Sequence, residues 1–159
     1  MSGTGGPEHK EIVEFLERKY GKTTDITYTI DNLQSFACKN SGFKCDYVGQ
    51  TSKCNAWVDV VVTEGWNSTL GKFIVLANQA KKDGKEAWIV VDIETLYKKH
   101  HNEHKYCDMK EPAFIEFQIK WCRLLYKLAG EVFSSEAISR IKIYNFNRSK
   151  HDKLETIVG

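Results

Sequence analysis

Proline is nearly absent, with two residues in 159, so helices and strands can run without the breaks that a locked φ and a missing N–H impose. No window approaches the roughly 18 consecutive apolar residues that mark a membrane span. No basic flank followed by an apolar run opens the chain as a signal peptide would. The expectation is a soluble, intracellular protein, in the cytoplasm or a host cell, with no membrane partner. Neither sign of charge dominates: Lys plus Arg number 23 and Asp plus Glu 21. Any basic surface must therefore come from clustering rather than from net charge. The five cysteines form an odd set and lack a secretory signal, so they read as reduced thiols in core or metal roles, not as a disulfide framework. A glycine-rich phosphate loop, a GxSxG elbow and an HExxH helix are all missing, which removes the simplest nucleotide, serine-hydrolase and zincin readings.

What is present is enough for one core: 42% of residues are hydrophobic, at the length of a single domain. Residues 1–6, MSGTGG, read as a flexible lead or an addition from cloning, 7–147 as one α+β domain, and 148–159 as a polar, frayed tail. Pro7 at a first turn, the stripe Ile12, Val13, Phe15, Leu16, Tyr20, and Gly21 as a stop predict an amphipathic helix. Alternating, β-branched residues at 23–30 and 43–48 predict strands. Asp92 is placed to cap a helix carrying Ile93, Leu96 and Tyr97. Phe114, Phe117, Trp121, Leu124 and Leu128 recur at helical spacing after Pro112. IKIYNF at 141–146 predicts a closing strand. The fold class expected is α+β, a single domain with a mixed, mostly antiparallel sheet and flanking helices. Few prolines with abundant Lys, Ile, Tyr and Asn also suit an AT-rich, for instance viral, genome.

The chemistry-bearing residues concentrate between 57 and 92. The runs 57–63, 72–78 and 87–91 read as strands, and KKDGK between the last two reads as a hairpin, because Asp83-Gly84 suits the positive φ of a type I′ turn. In that register Gln79, Lys81, Glu86 and Trp88 share one face. Asp59 lies inside an apolar run, a costly place for a carboxylate unless it is paired, metal-bound or at a cleft.

Asp59, Glu86 and Lys81 supply the residue types of phosphodiester hydrolysis: carboxylates to hold divalent cations, and a cation to activate water and offset phosphate charge. With Asp59 on one strand and Gln79-Ala80-Lys81 following it, the stretch 42–97 resembles the restriction-endonuclease-like nuclease superfamily, of the archaeal Holliday-junction-resolvase type. There an aspartate precedes an (Asp/Glu/Gln)-X-Lys signature. The resemblance implies a metal-dependent nuclease on double-stranded DNA, with Mg²⁺ or Mn²⁺ held by Asp59 and Glu86, Lys81 as the electrostatic or water-activating group, and Gln79 as a positioning residue. No proline precedes Asp59, and Glu86 would have to replace the carboxylate that Gln79 lacks.

Two further groupings stand beside it. Cys38, Cys45 and Cys54, with His100, His101, His104 and Cys107, are of zinc-binding types, though without a paired CxxC knuckle. Lys98, Lys99, Lys105 and Lys110 form the densest basic segment, Lys142, Arg148, Lys150 and Lys153 a second, and Trp66 in a polar turn is positioned to stack on a base. The alternative to a nuclease is a catalytically inert nucleic-acid-binding or protein-interaction module of the same fold.

Overall fold

The computed structural model describes residues 6–23, 27–28, 43–62, 66–100, 109–133, 135–150 and 153–159. Helix α1 (Pro7–Tyr20) begins with proline in its first turn and ends at Gly21, whose φ of 97° a residue with a Cβ would resist. Its apolar stripe buries Ile12, Phe15 and Leu16, worth about 1.5–3 kcal/mol each. Strands β1 (Thr27–Tyr28) and β2 (Phe43–Lys44) pair antiparallel. The main sheet holds β3 (Tyr47–Val48), β4 (Ala56–Val61), β5 (Glu86–Val91), β6 (Ile141–Asn147) and β7 (Lys153–Val158), in that spatial order. The pairs β3·β4 and β6·β7 are antiparallel, whereas β4·β5 and β5·β6 are parallel. The chain is thus one α+β domain with a mixed sheet, and three of the five pairings among the described residues are antiparallel.

Helix α2 (Trp66–Asp83) crosses over from β4 to β5, and α3 (Ile93–His100), α4 (Glu111–Val132) and α5 (Ser135–Ser139) lie between β5 and β6. The expected strand at 72–78 is therefore helix, and the expected hairpin is the end of α2. Lys85 N–H donates to the Ala80 carbonyl at 2.9 Å and Gly84 N–H to the Lys81 carbonyl at 3.4 Å, with Gly84 at φ 65°. This nested pair of bonds is a Schellman stop. Asp-Gly favours positive φ in a helix C-terminus as much as in a hairpin, and the i, i+1, i+4 spacing of Leu76, Ala77 and Ala80, all buried, follows the helical period.

The sheet has two apolar faces. One carries Trp57, Val61, Ala87, Ile89, Val91, Ile141 and Ile143 against α2 to α5. The other carries Ala56, Val58, Val60, Trp88, Val90 and Phe146 against α1. Near-continuous apolar runs such as WIVV suit strands covered on both sides. Helix α4 presents Phe114, Gln118, Cys122 and Ala129 to the core. Of the stripe read from the sequence Phe114 packs, whereas Phe117, Leu124 and Leu128 remain more than 40% exposed, so most of that stripe lies off the core. The polar end of the chain is ordered into the sheet: β7 is one of its two edge strands, and β6 lies between β5 and β7 instead of closing it. No described helix is long and apolar enough to cross a membrane.

Candidate functional site

Parallel pairing dictates what gathers at each end of the sheet. Register places Ala87 beside Ile141 and Ala56 beside Glu86. The residues that enter β4, β5 and β6 therefore meet at one edge. These include Asn55, Lys85, Glu86, Arg140 and Lys142, and the C-terminal end of α1 brings Lys19 and Tyr20 to the same place. Together they line a cleft of about 490 Å³ that also includes Lys53, Trp88 and Tyr144.

The rim is held by its own hydrogen bonds. Gly49 N–H donates to the Ala56 carbonyl at 2.9 Å, and Thr51 and Cys54 exchange backbone bonds at 3.2 and 3.3 Å. The Thr51 hydroxyl accepts from Cys54 N–H at 3.1 Å. A Cβ at Gly49 would fall 2.2 Å from the Cys54 carbonyl oxygen, so only glycine permits this tight loop. Lys85 Nζ then ties the loop to the α2–β5 turn, donating to the Gly49 carbonyl at 2.9 Å and to Asn55 Oδ1 at 2.8 Å.

The floor is aromatic. The Trp88 ring lies 4.8 Å from Tyr144 and 5.8 Å from Tyr20, centre to centre. Trp88 is buried and donates its indole N–H to Glu86 Oε1 at 3.1 Å, while Tyr20 and Tyr144 are partly exposed. Burial first, with the negative charge of Glu86 adding to it, raises the Tyr144 phenol above its ordinary pKa. Burial likewise raises Tyr20. Both hydroxyls are therefore neutral at physiological pH.

Among the described residues five cationic side chains and one carboxylate line this cleft. Glu86 is already committed to Lys142, at 2.8 Å. Lys19 lies over the Phe15 and Tyr20 rings at 5.5 and 5.4 Å, a cation–π placement, and Lys53 is exposed. Arg140 donates Nη1–H to the Lys85 carbonyl at 3.2 Å, while its buried Nε has no partner among the described residues.

The residues expected to form a nuclease centre do not meet. Asp59 is buried on the α2 side of the sheet, in register with Ile89, between Trp57 and Val61. Glu86 lies beside Ala56 on the α1 side with Trp88. Three residues along a strand separate their levels by about 10 Å, and the sheet lies between them. Lys81 pairs with Glu136 of α5 at 3.6 Å, and Gln79 donates to Asp83 Oδ2 at 3.1 Å. Of the predicted four-residue face only the Glu86–Trp88 contact exists. A divalent ion cannot be shared by Asp59 and Glu86, so this donor set does not fit one. Among the described residues no three His, Cys, Asp or Glu side chains lie close enough to hold a metal.

The zinc grouping is divided as well: Cys45 packs on the α2 side and Cys54 on the α1 side. Cys38, His101, His104 and Cys107, with Lys105, lie outside the described residues, as do the side chains of His100 and Trp66. Lys98 and Lys99 are exposed on the last turn of α3. Arg148, expected in a basic patch, is instead locked to Asp92 and Glu11 at 2.6 Å each. The cleft's Lys19, Lys53, Lys85 and Arg140 come from separate segments with no basic run. The signal that could have found them is a cation just before each of two apolar strands, read as parallel neighbours.

Compared with known proteins, the chain matches no family model, no curated protein and no solved structure.

Proposed function

We propose that this chain is a nucleic-acid-binding module, with the cleft at the amino-terminal edge of its parallel strands as the contact surface. The observation that carries this reading is the concentration of Lys19, Lys53, Lys85 and Arg140 around the partly exposed rings of Tyr20 and Tyr144. Cations that track a phosphate backbone, with aromatic faces for bases, are the two components of sequence-tolerant strand binding. The near-neutral chain thereby acquires a local positive field without an overall excess of charge. The hydrolytic reading gains no support from the residues named for it, because Asp59 and Glu86 face opposite sides of the sheet. DNA remains the first ligand to test, with RNA of the same sequence beside it.

The test is fluorescence anisotropy of a labelled oligonucleotide over a salt series, comparing the natural protein with a Lys19→Ala, Lys53→Ala double variant. Binding that weakens with salt is expected, with the slope of log K against log salt falling by roughly 0.7 for each single-strand phosphate contact removed. Binding that ignores both salt and the double substitution would exclude this surface.

A further inference from the structure

We propose that the cleft takes the end of a single strand bearing a terminal phosphomonoester, with the phosphate on Arg140 and the terminal base against Tyr144. This rests on the nucleic-acid-binding reading and specifies which part of the polymer is bound.

Three features point to an end. First, Arg140 donates one of the five N–H groups of its guanidinium to the Lys85 carbonyl, and its Nε has no partner among the described residues. A planar fork with unused N–H groups matches two oxygens of one phosphate. Second, the Glu86–Lys142 pair is internally compensated, which leaves Lys19, Lys53, Lys85 and Arg140 facing a space of about 490 Å³. That volume is of small-ligand size, one or two nucleotides, and four cations exceed the charge of one or two internal phosphodiesters. A terminal phosphomonoester carries about −1.5 to −2 at neutral pH. Third, the cleft has a closed side. Helix α1 lies across the same sheet face, where Phe15 meets Phe146 ring to ring at 5.3 Å, so a strand running along the sheet from Tyr144 meets that helix. Duplex ends fit poorly, because a base reaches the Tyr144 face only when it is unstacked.

The experiment measures anisotropy of one short oligonucleotide sequence in five forms: 5′-phosphorylated, 3′-phosphorylated, hydroxyl at both ends, circularised, and duplex. A free nucleoside monophosphate serves as competitor. A phosphorylated linear strand is expected to bind about tenfold or more tightly than the hydroxyl-ended and circular forms. Arg140→Lys, which keeps the charge and removes the fork, should erase that preference by lowering affinity for the phosphorylated strand to that of the hydroxyl-ended one. Thermal melting of the variant confirms that it is folded, and Lys53→Ala at the exposed rim gives a second reading of the same preference. Equal affinity for phosphorylated, hydroxyl-ended and circular strands would overturn the terminal-phosphate assignment and leave strand binding standing. Equal or tighter duplex binding would overturn it too. A monophosphate that binds as tightly as the phosphorylated strand would replace the strand end by a free nucleotide. No binding of any form would remove both this inference and the reading beneath it.

Discussion

Arg148 and Asp92, 56 residues apart in sequence, meet at 2.6 Å where β5 and β6 end. Asp92 is fully buried and also caps α3, accepting from Thr95 N–H at 3.1 Å and from the Thr95 hydroxyl at 2.7 Å. Arg148 reaches onward to Glu11 of α1, so one guanidinium joins three elements. Burial works against its charge, but the hydrogen bonds it donates to the two carboxylates outweigh this and raise its pKa. Arg148→Ala would leave Asp92 buried and unpaired, and a loss of about 3–5 kcal/mol is expected. Glu11→Ala, at a half-exposed position, should cost under about 1 kcal/mol. Urea denaturation of the two variants checks this, and equal losses would contradict it.

Gly84 tests the end of α2. Its φ of 65° makes Gly84→Ala costly by about 1 kcal/mol or slightly more, whereas Gly84→Asn should cost less. Gly49→Ala should be worse than either, because the added carbon would overlap the Cys54 backbone and the loop bearing Lys53 would have to shift. Thermal melts of the three variants give the order directly.

Local signals were strong where chemistry and period agreed. Pro7, the α1 stripe, the Asp92 cap and the strand at 141–146 could all be read from adjacent residues. KKDGK could not, because the same dipeptide ends a helix or turns a hairpin, and Ile74 and Val75 gave α2 a β-branched appearance. That one ambiguity reversed the sheet, turning an antiparallel neighbour into a parallel one and moving Glu86 away from Asp59 and Lys81. The cleft was illegible for a related reason: Lys19, Lys53, Lys85 and Arg140 are scattered, and the β4·β5·β6 register together with the packing of α1 on the sheet brings their segments together. The Phe117, Leu124, Leu128 stripe misleads in another way, since helical spacing reports an amphipathic face but not what lies against it.

Alkaline stability should report the buried acids. Burial pushes the Cys54 and Cys122 thiols and the Tyr47 phenol up to about 12, and Cys45 higher still. The unfolded chain releases these protons from about pH 9 for the thiols and 10 for the phenol, while the folded chain retains them. Their contribution is therefore complete below about pH 9 and is lost as pH rises toward 12. Unfolding free energy measured by urea between pH 7 and 11 should hold level and then fall. Cys122→Ala should make the fall shallower by up to about 1.4 kcal/mol per pH unit, and an unchanged slope would show that this thiol ionises in the folded protein.

Glu86 separates binding from hydrolysis most cleanly. Among the described residues it is the single carboxylate lining the cleft, and it neutralises Lys142 at 2.8 Å. Glu86→Gln keeps an oxygen for the Trp88 indole N–H and removes the charge. Freed of its partner, Lys142 becomes available to phosphate, so strand affinity should rise several-fold at low salt, with the gain shrinking as salt screens it. A metal ligand would behave in the opposite sense. If Glu86 held Mg²⁺ or Mn²⁺ for phosphodiester hydrolysis, the same substitution would abolish metal-dependent degradation of DNA. Incubating natural protein, Glu86→Gln and Asp59→Asn with linear and circular DNA, in Mg²⁺, Mn²⁺ or EDTA, distinguishes the two. Tighter retention without cleavage supports the binding cleft, and cleavage lost in both variants would return Asp59 and Glu86 to one catalytic centre despite their places on opposite faces of the sheet.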